Sequence, residues 1–169
     1  GGKGGDVYVV ASRDLSLLFK YRHEKSFSAE HGEAGKKDLL HGANGKDLEI
    51  PFPIGSVIRN TETNEVIQLL TEGERVKILS GGKGGYGNDH YKSSTNRSPK
   101  KATKGKPGEL GKFFIELQLV VDVGLIGFPN AGKSSLLNAL TNADVKVGAY
   151  KFTTLEPNLG AFHGYVLAD

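Results

Sequence analysis

Cysteine is absent from this 169-residue chain, which excludes disulfides, thiol catalysis and thiolate zinc sites and fits a reducing compartment. No apolar run approaches the roughly 20 residues that cross a bilayer, and the first residues carry neither a secretory nor a transit pattern. A membrane role is not expected. Residues 1–121 also lack any sustained helical periodicity. The chain opens at Gly1 without a methionine and its last residues lie in an apolar, strand-like run. It therefore reads as part of something longer.

The hydrophobic content, 37 %, suffices for one ordinary core or two small ones and excludes a disordered or fibrous chain. One or two soluble domains are expected. Glycine is the main punctuation: its 24 residues concentrate at positions 1–5, 32–45 and 81–87. Between and beyond these blocks lie strand-like runs at 6–11, 47–51, 56–60, 65–70, 75–80 and 112–121. In the last run Phe113, Ile115, Leu117 and Leu119 share one face, and Phe114, Glu116, Gln118 and Val120 the other. Short strands at this spacing predict an all-β sandwich or barrel. The glycine blocks admit two readings. Composition alone makes them flexible linkers; alternatively, close glycine spacing lets extended left-handed, polyproline-type strands pack side by side, because no side chain separates their backbones. Recurrence of the blocks between strands favours packing.

The net charge of +3 is mild but unevenly distributed. Between residues 83 and 112 stand eight basic residues, Lys83, Lys92, Arg97, Lys100, Lys101, Lys104, Lys106 and Lys112, against Asp89 and Glu109. Such a run is either a solvated loop or a surface for phosphate backbones.

The β-rich region gives way near Val121 and Asp122 to an α/β unit: a strand at 123–126, a loop at 127–133 and a helix at 134–142, with two more strands at 160–163 and 165–168. The loop reads Gly127, Phe128, Pro129, Asn130, Ala131, Gly132, Lys133, Ser134 and so satisfies G-x-x-x-x-G-K-[ST]. Each part has a physical task. Gly127 and Gly132 let the backbone wrap with its amides inward, at a helix N-terminus where unpaired donors and the dipole favour phosphate. Lys133 adds a full charge at the β- and γ-phosphates, Ser134 offers a magnesium ligand, and Ser135 reaches the α-phosphate. A strand before and a helix after are the surroundings that separate this motif from a chance match.

About twenty residues on, Phe152, Thr153, Thr154, Leu155 and Glu156 form a polar, turn-prone stretch, the place for a segment that orders when the γ-phosphate is present. Asp169 follows the apolar run 165–168, where P-loop proteins place the acid that holds magnesium through water. A strand-terminal aspartate is equally a plain cap.

These residues resemble a known family. G-F-P-N-A-G-K-S-S at 127–135 followed by F-T-T-L-E-P-N-L-G at 152–160 is similar to the Obg GTPases, as are G-G-K-G-G-D-V at 1–7, K-D-L-E-I-P-F-P-I-G at 46–55, G-G-K-G-G-Y-G-N at 81–88, S-S-T-N-R at 93–97 and K-G-K-P-G-E at 104–109. The resemblance implies a mainly β fold: a glycine-rich polyproline-type bundle on a small β-barrel over residues 1–121, its N-terminal part missing, followed at 122–169 by the first part of a Ras-like α/β P-loop G domain. It implies GTP and GDP as ligands, Mg2+ held by Ser134 and Thr154, with Asp169 contributing through water as the first residue of D-x-x-G, and Lys133 and Thr154 in catalysis. The phosphate loop would be 127–135, and 152–156 would complete the nucleotide site. The implied partner is the large ribosomal subunit late in assembly, with Lys83, Lys92, Arg97, Lys100, Lys101, Lys104 and Lys106 as rRNA contacts. No oligomer is expected, and the compartment would be the bacterial cytoplasm, or the mitochondrion or chloroplast in a eukaryote. Asn130 resembles the asparagine of potassium-stimulated GTPases, where it helps place K+ against the phosphates; the alternative is that it serves only the loop's backbone geometry. An N-K-x-D base-recognition motif does not occur in these residues, so guanine preference comes from the resemblance alone, and the covered residues by themselves are expected to be inactive as an enzyme. Two other classes stay open: a P-loop ATPase or kinase with an accessory β domain, and a non-enzymatic rRNA-binding module.

Overall fold

The computed structural model describes the chain except residues 15, 22, 37–39, 118–120, 142–158, 163–164 and 169. Nine strands are assigned among the described residues: β1 (Val7–Ser12), β2 (Leu48–Pro53), β3 (Val57–Asn60), β4 (Val66–Gln68), β5 (Arg75–Leu79), β6 (Phe113–Glu116), β7 (Val123–Gly124), β8 (Leu159–Phe162) and β9 (Tyr165–Ala168). Two α-helices, α1 (Leu17–Lys20) and α2 (Lys133–Thr141), and a 3-10 turn at Asn88–Tyr91 accompany them. The fold is mainly β, as expected.

The strands form three sheets of three, ordered β2-β1-β5, β4-β3-β6 and β7-β9-β8. In the first, β1 runs parallel to β2, with Val9 opposite Ile50, and antiparallel to β5. Alternation sends Val9, Ala11, Ile50 and Phe52 inward, where they meet Ile58 and Leu69 from the second sheet in one buried cluster. Phe113, Ile115 and Leu117 pack on that cluster while Phe114 is exposed, so β6 presents the inner face that its sequence pattern requires.

The small barrel expected from the resemblance is not closed: among the described residues no ladder joins the two sheets. Proline explains why β2 stays an edge. Leu48 N and Ile54 N donate to Asp6 O and Ser12 O, so the even residues of β2 face β1. The outward donors would be those of Glu49, Pro51 and Pro53, and proline has none.

Beyond the ends of β1, β2 and β5 the chain continues as glycine-rich extended segments. Gly2 N and Gly5 N donate to Glu33 O and Glu30 O at 2.8 and 2.9 Å, Gly45 N to Lys3 O at 2.9 Å, and Gly4 N to Gly82 O at 2.9 Å. Residues 1–5 thus lie against 30–33, 43–46 and 81–85. These contacts demand glycine: a Cβ on Gly5 would overlap the Lys46 carbonyl, and one on Gly81 that of Gly4. The flexible-linker reading fails at this point, because the blocks are mutually packed backbone. At the root, the buried Asp6 carboxylate accepts from Gly81 N at 2.7 Å and Lys3 Nζ at 2.8 Å, with Lys77 Nζ at 3.9 Å. The Lys3 hydrogen bond, with the Gly81 amide next, holds the Asp6 carboxyl below the usual carboxylate range.

The segments pair as hairpins. Glu109 N, Lys106 N and Thr103 N donate to Ser80 O, Lys83 O and Tyr86 O, a constant antiparallel register that leaves residues 87–102 as the hairpin's terminal loop.

Candidate functional site

The third sheet positions the phosphate-loop motif. β7 pairs in parallel with β9, Val123 opposite Leu167 and Gly124 opposite Ala168, and Leu125 N still donates to Ala168 O at 2.8 Å. The chain then leaves the sheet and turns. Ala131 N donates to Phe128 O at 3.2 Å across Pro129 and Asn130; Asn130 has φ +62°. Proline at the second position and a left-handed residue at the third are the requirements of a type II turn. Gly132 follows at φ +85°, a conformation that costs glycine little and other residues more. Leu136 N then closes the first helical bond on Gly132 O at 2.9 Å, so Gly132 is the residue from which α2 starts.

Lys133, Ser134 and Ser135 therefore occupy the first turn of α2, where backbone amides have no partner within the helix. The Lys133 side chain folds back over the loop and donates to Gly127 O at 3.1 Å and Phe128 O at 3.3 Å. Its charge is thus held above the loop that wraps toward the helix end. Ser134, Ser135, Gly127 and Phe128 are exposed, and Leu137 anchors the helix by burial. This donor set of amides, one ammonium and hydroxyls suits phosphate and a phosphate-bound hard cation. Among the described residues no cluster of three His, Asp or Glu side chains could hold a metal by itself.

Asn130's backbone accounts for asparagine there without any ligand. Phe152, Thr153, Thr154, Leu155, Glu156 and Asp169 lie outside the described residues, so the phosphate loop is the part of the expected nucleotide site that the structure brings together.

The expected basic residues separate into two groups. Lys83, Lys104 and Lys106 lie along the glycine hairpin, and Lys92, Arg97, Lys100 and Lys101 in its terminal loop, all exposed. Lys92 forms an ion pair with Asp89. Three rings that a count of charges passes over stand in the same loop: Tyr86 stacks on His90, and His90 meets Tyr91 edge-on. Aromatic residues interleaved with the basic run were the available signal. Among the described residues no helix is long and apolar enough to cross a membrane.

Comparison with known proteins agrees with these features. The family model described as GTP1/OBG matches residues 1–119, and one described as a 50S ribosome-binding GTPase matches residues 122–169. The protein named GTPase Obg from Persephonella marina is 47 % identical over 161 residues, covering 95 % of this chain and 47 % of the relative. That of Desulfotalea psychrophila, with the same name, is 50 % identical over 164 residues, covering 96 % and 44 %. The chain spans a little under half the length of these relatives. With one model matching most of its length and the glycine packing that the motifs require, the chain belongs to the GTP1/OBG family.

Proposed function

We propose that this chain comprises the RNA-directed domain, residues 1–121, and the first part of the G domain, residues 122–169, of a slow GTPase acting in late assembly of the large ribosomal subunit. The observation that carries the reading is the loop between β7 and α2, whose type II turn, Gly132 and folded-back Lys133 are the features a triphosphate cradle needs. When bound, GTP with Mg2+ supplies the anhydride to be cleaved and neutralises part of its charge. The chain's own contribution is positioning and electrostatics. Backbone amides of the 127–135 loop, other than Pro129, would hold the phosphates, Lys133 would reach the β- and γ-oxygens, and the Ser134 hydroxyl would hold the cation. Thr154 of the 152–156 segment would join it, and Asp169 would contribute through water. The loop thus contributes positioning and charge, and slow turnover is expected. Asn130 would also help hold K+.

In the same reading the glycine segments are polyproline-type strands, and Lys83, Lys92, Arg97, Lys100, Lys101, Lys104 and Lys106 contact rRNA. The protein acts as a monomer, in the bacterial cytoplasm or in a eukaryotic organelle. The family model described as a 50S ribosome-binding GTPase, which matches residues 122–169, and the exposed basic residues at the hairpin tip support this partner. Equilibrium binding of fluorescent GTP and GDP to the full-length protein tests the nucleotide half. Lys133→Ala should lower affinity at least about tenfold, as expected for a lost charge-assisted contact of roughly 1.5–3 kcal/mol. Unchanged affinity would refute the cradle, and equal competition by ATP would favour an ATPase. Co-sedimentation with large subunits at rising salt tests the other half: RNA contacts predict a steep loss.

A further inference from the structure

The hairpin tip carries more than charge. Tyr86 and His90 lie with ring centroids 4.2 Å apart and planes 16° from parallel, and Tyr91 meets His90 edge-on at 5.3 Å. Tyr86 keeps 59 % of its surface exposed although one ring face is covered by His90. Rings placed this way do little for a core.

Their backbone is nonetheless tied into the hairpin. Tyr86 N donates to Thr103 Oγ1 and Thr103 N to Tyr86 O, both at 2.9 Å, so the Tyr86 backbone is tied to the opposite strand of the hairpin. The 3-10 turn at Asn88–Tyr91 returns His90 onto it. Lys101 Nζ stands 5.1 Å from the Tyr91 ring.

We propose that Tyr86 and His90 form a stacking platform for an unpaired RNA base, with Lys101 beside it for the adjoining phosphate. A duplex hides its base faces, so lysines alone bind paired and unpaired RNA by charge without distinguishing them. A preformed ring stack adds an interaction open only to a splayed-out or single-stranded nucleotide. The platform thus selects loops, bulges and ends. This inference rests on the RNA-directed reading above and narrows its substrate class.

The test is titration of the chain with a labelled, unpaired oligoadenylate and with an RNA duplex of equal phosphate number. Tyr86→Ala should weaken binding to oligoadenylate by about tenfold or more and leave the duplex unchanged, while Tyr86→Phe, which keeps the ring, retains wild-type affinity. The double variant Lys104→Ala/Lys106→Ala should weaken both RNAs alike and flatten their salt dependence. If Tyr86→Ala affects both RNAs equally, or neither, while the lysine variant weakens both, the platform is refuted and the RNA-directed reading stands. If the wild-type chain binds neither RNA at low salt, both fall. Thermal melting of each variant separates lost stacking from a collapsed loop; should Tyr86→Ala melt early, His90→Ala repeats the comparison from the other ring.

Discussion

Substituting Gly81 by alanine measures whether the glycine segments are held by backbone contact. The added Cβ would overlap the Gly4 carbonyl oxygen and stand 2.6 Å from that of Gly5, whereas ordinary C···O contacts begin near 3.3 Å (about that value even for the attractive Cα–H···O type). The 81–86 segment must therefore retreat by a sizeable fraction of an ångström or more. Retreat endangers the 2.9 Å bond from Gly4 N to Gly82 O next to it. Overpacking costs roughly 1–3 kcal/mol and a lost backbone hydrogen bond about 1 kcal/mol, so destabilisation of about 2–4 kcal/mol is expected, a large part of the roughly 5–15 kcal/mol that holds a domain folded. Gly87→Ala is the control: a Cβ there meets nothing within 4 Å and φ is −72°, so alanine should be neutral or stabilise by a few tenths of a kcal/mol through the unfolded chain. Urea denaturation of both variants, read as midpoint and slope, decides it. Equal midpoints for Gly81→Ala and Gly87→Ala would mean that the packed backbone does not support the fold.

The Asp6 carboxyl should make stability acid-sensitive. Its folded pKa lies below the unfolded value, so its contribution is present above the ordinary carboxylate range and is lost as pH falls through the depressed folded pKa; Asp6→Asn should flatten the acid limb of the denaturation midpoint, and an unchanged limb would remove Asp6 as its cause. If Thr154 orders with the γ-phosphate as proposed, Thr154→Ala in the full-length protein should spare GDP binding and impair GTP hydrolysis; wild-type turnover would count against that role. Hydrolysis should be faster in potassium than in sodium if Asn130 places a cation, and equal rates would leave its left-handed turn as the reason for asparagine.

Much of this architecture is legible in the residues, and the departures have physical causes. The run 165–168 becomes β9 with the same bounds, since a continuous apolar stretch between turn residues has little else to do. Of the run 112–121, residues 118–120 lie outside the described residues, and among the described ones β6 covers Phe113–Glu116. Its partner β3 offers four residues, Val57–Asn60, each already matched to one of β6. Of the expected strand 123–126, β7 covers Val123 and Gly124, which pair with Leu167 and Ala168 of β9. Helix α1 covers one turn, Leu17–Lys20, too short to display a period of 3.6. The phosphate loop was readable because its chemistry is local in sequence. The ring stack was not, because Tyr86 and His90 meet only through the 3-10 turn between them.

Glycine packing also explains how such a tip can carry its charge. A hairpin stiffened by side-chain contacts would have to reserve its side chains for neighbours. Here the contacts are carbonyl to Cα and amide to carbonyl, so Lys83, Lys104 and Lys106 remain on the surface while the backbone beneath them stays packed. Asp6 joins this assembly to β1 and β5 through Gly81 and Lys77. A substitution at the tip should therefore alter binding without altering the fold, whereas one at Gly5 or Gly81 should disturb the backbone packing and, through it, the placement of every tip residue together.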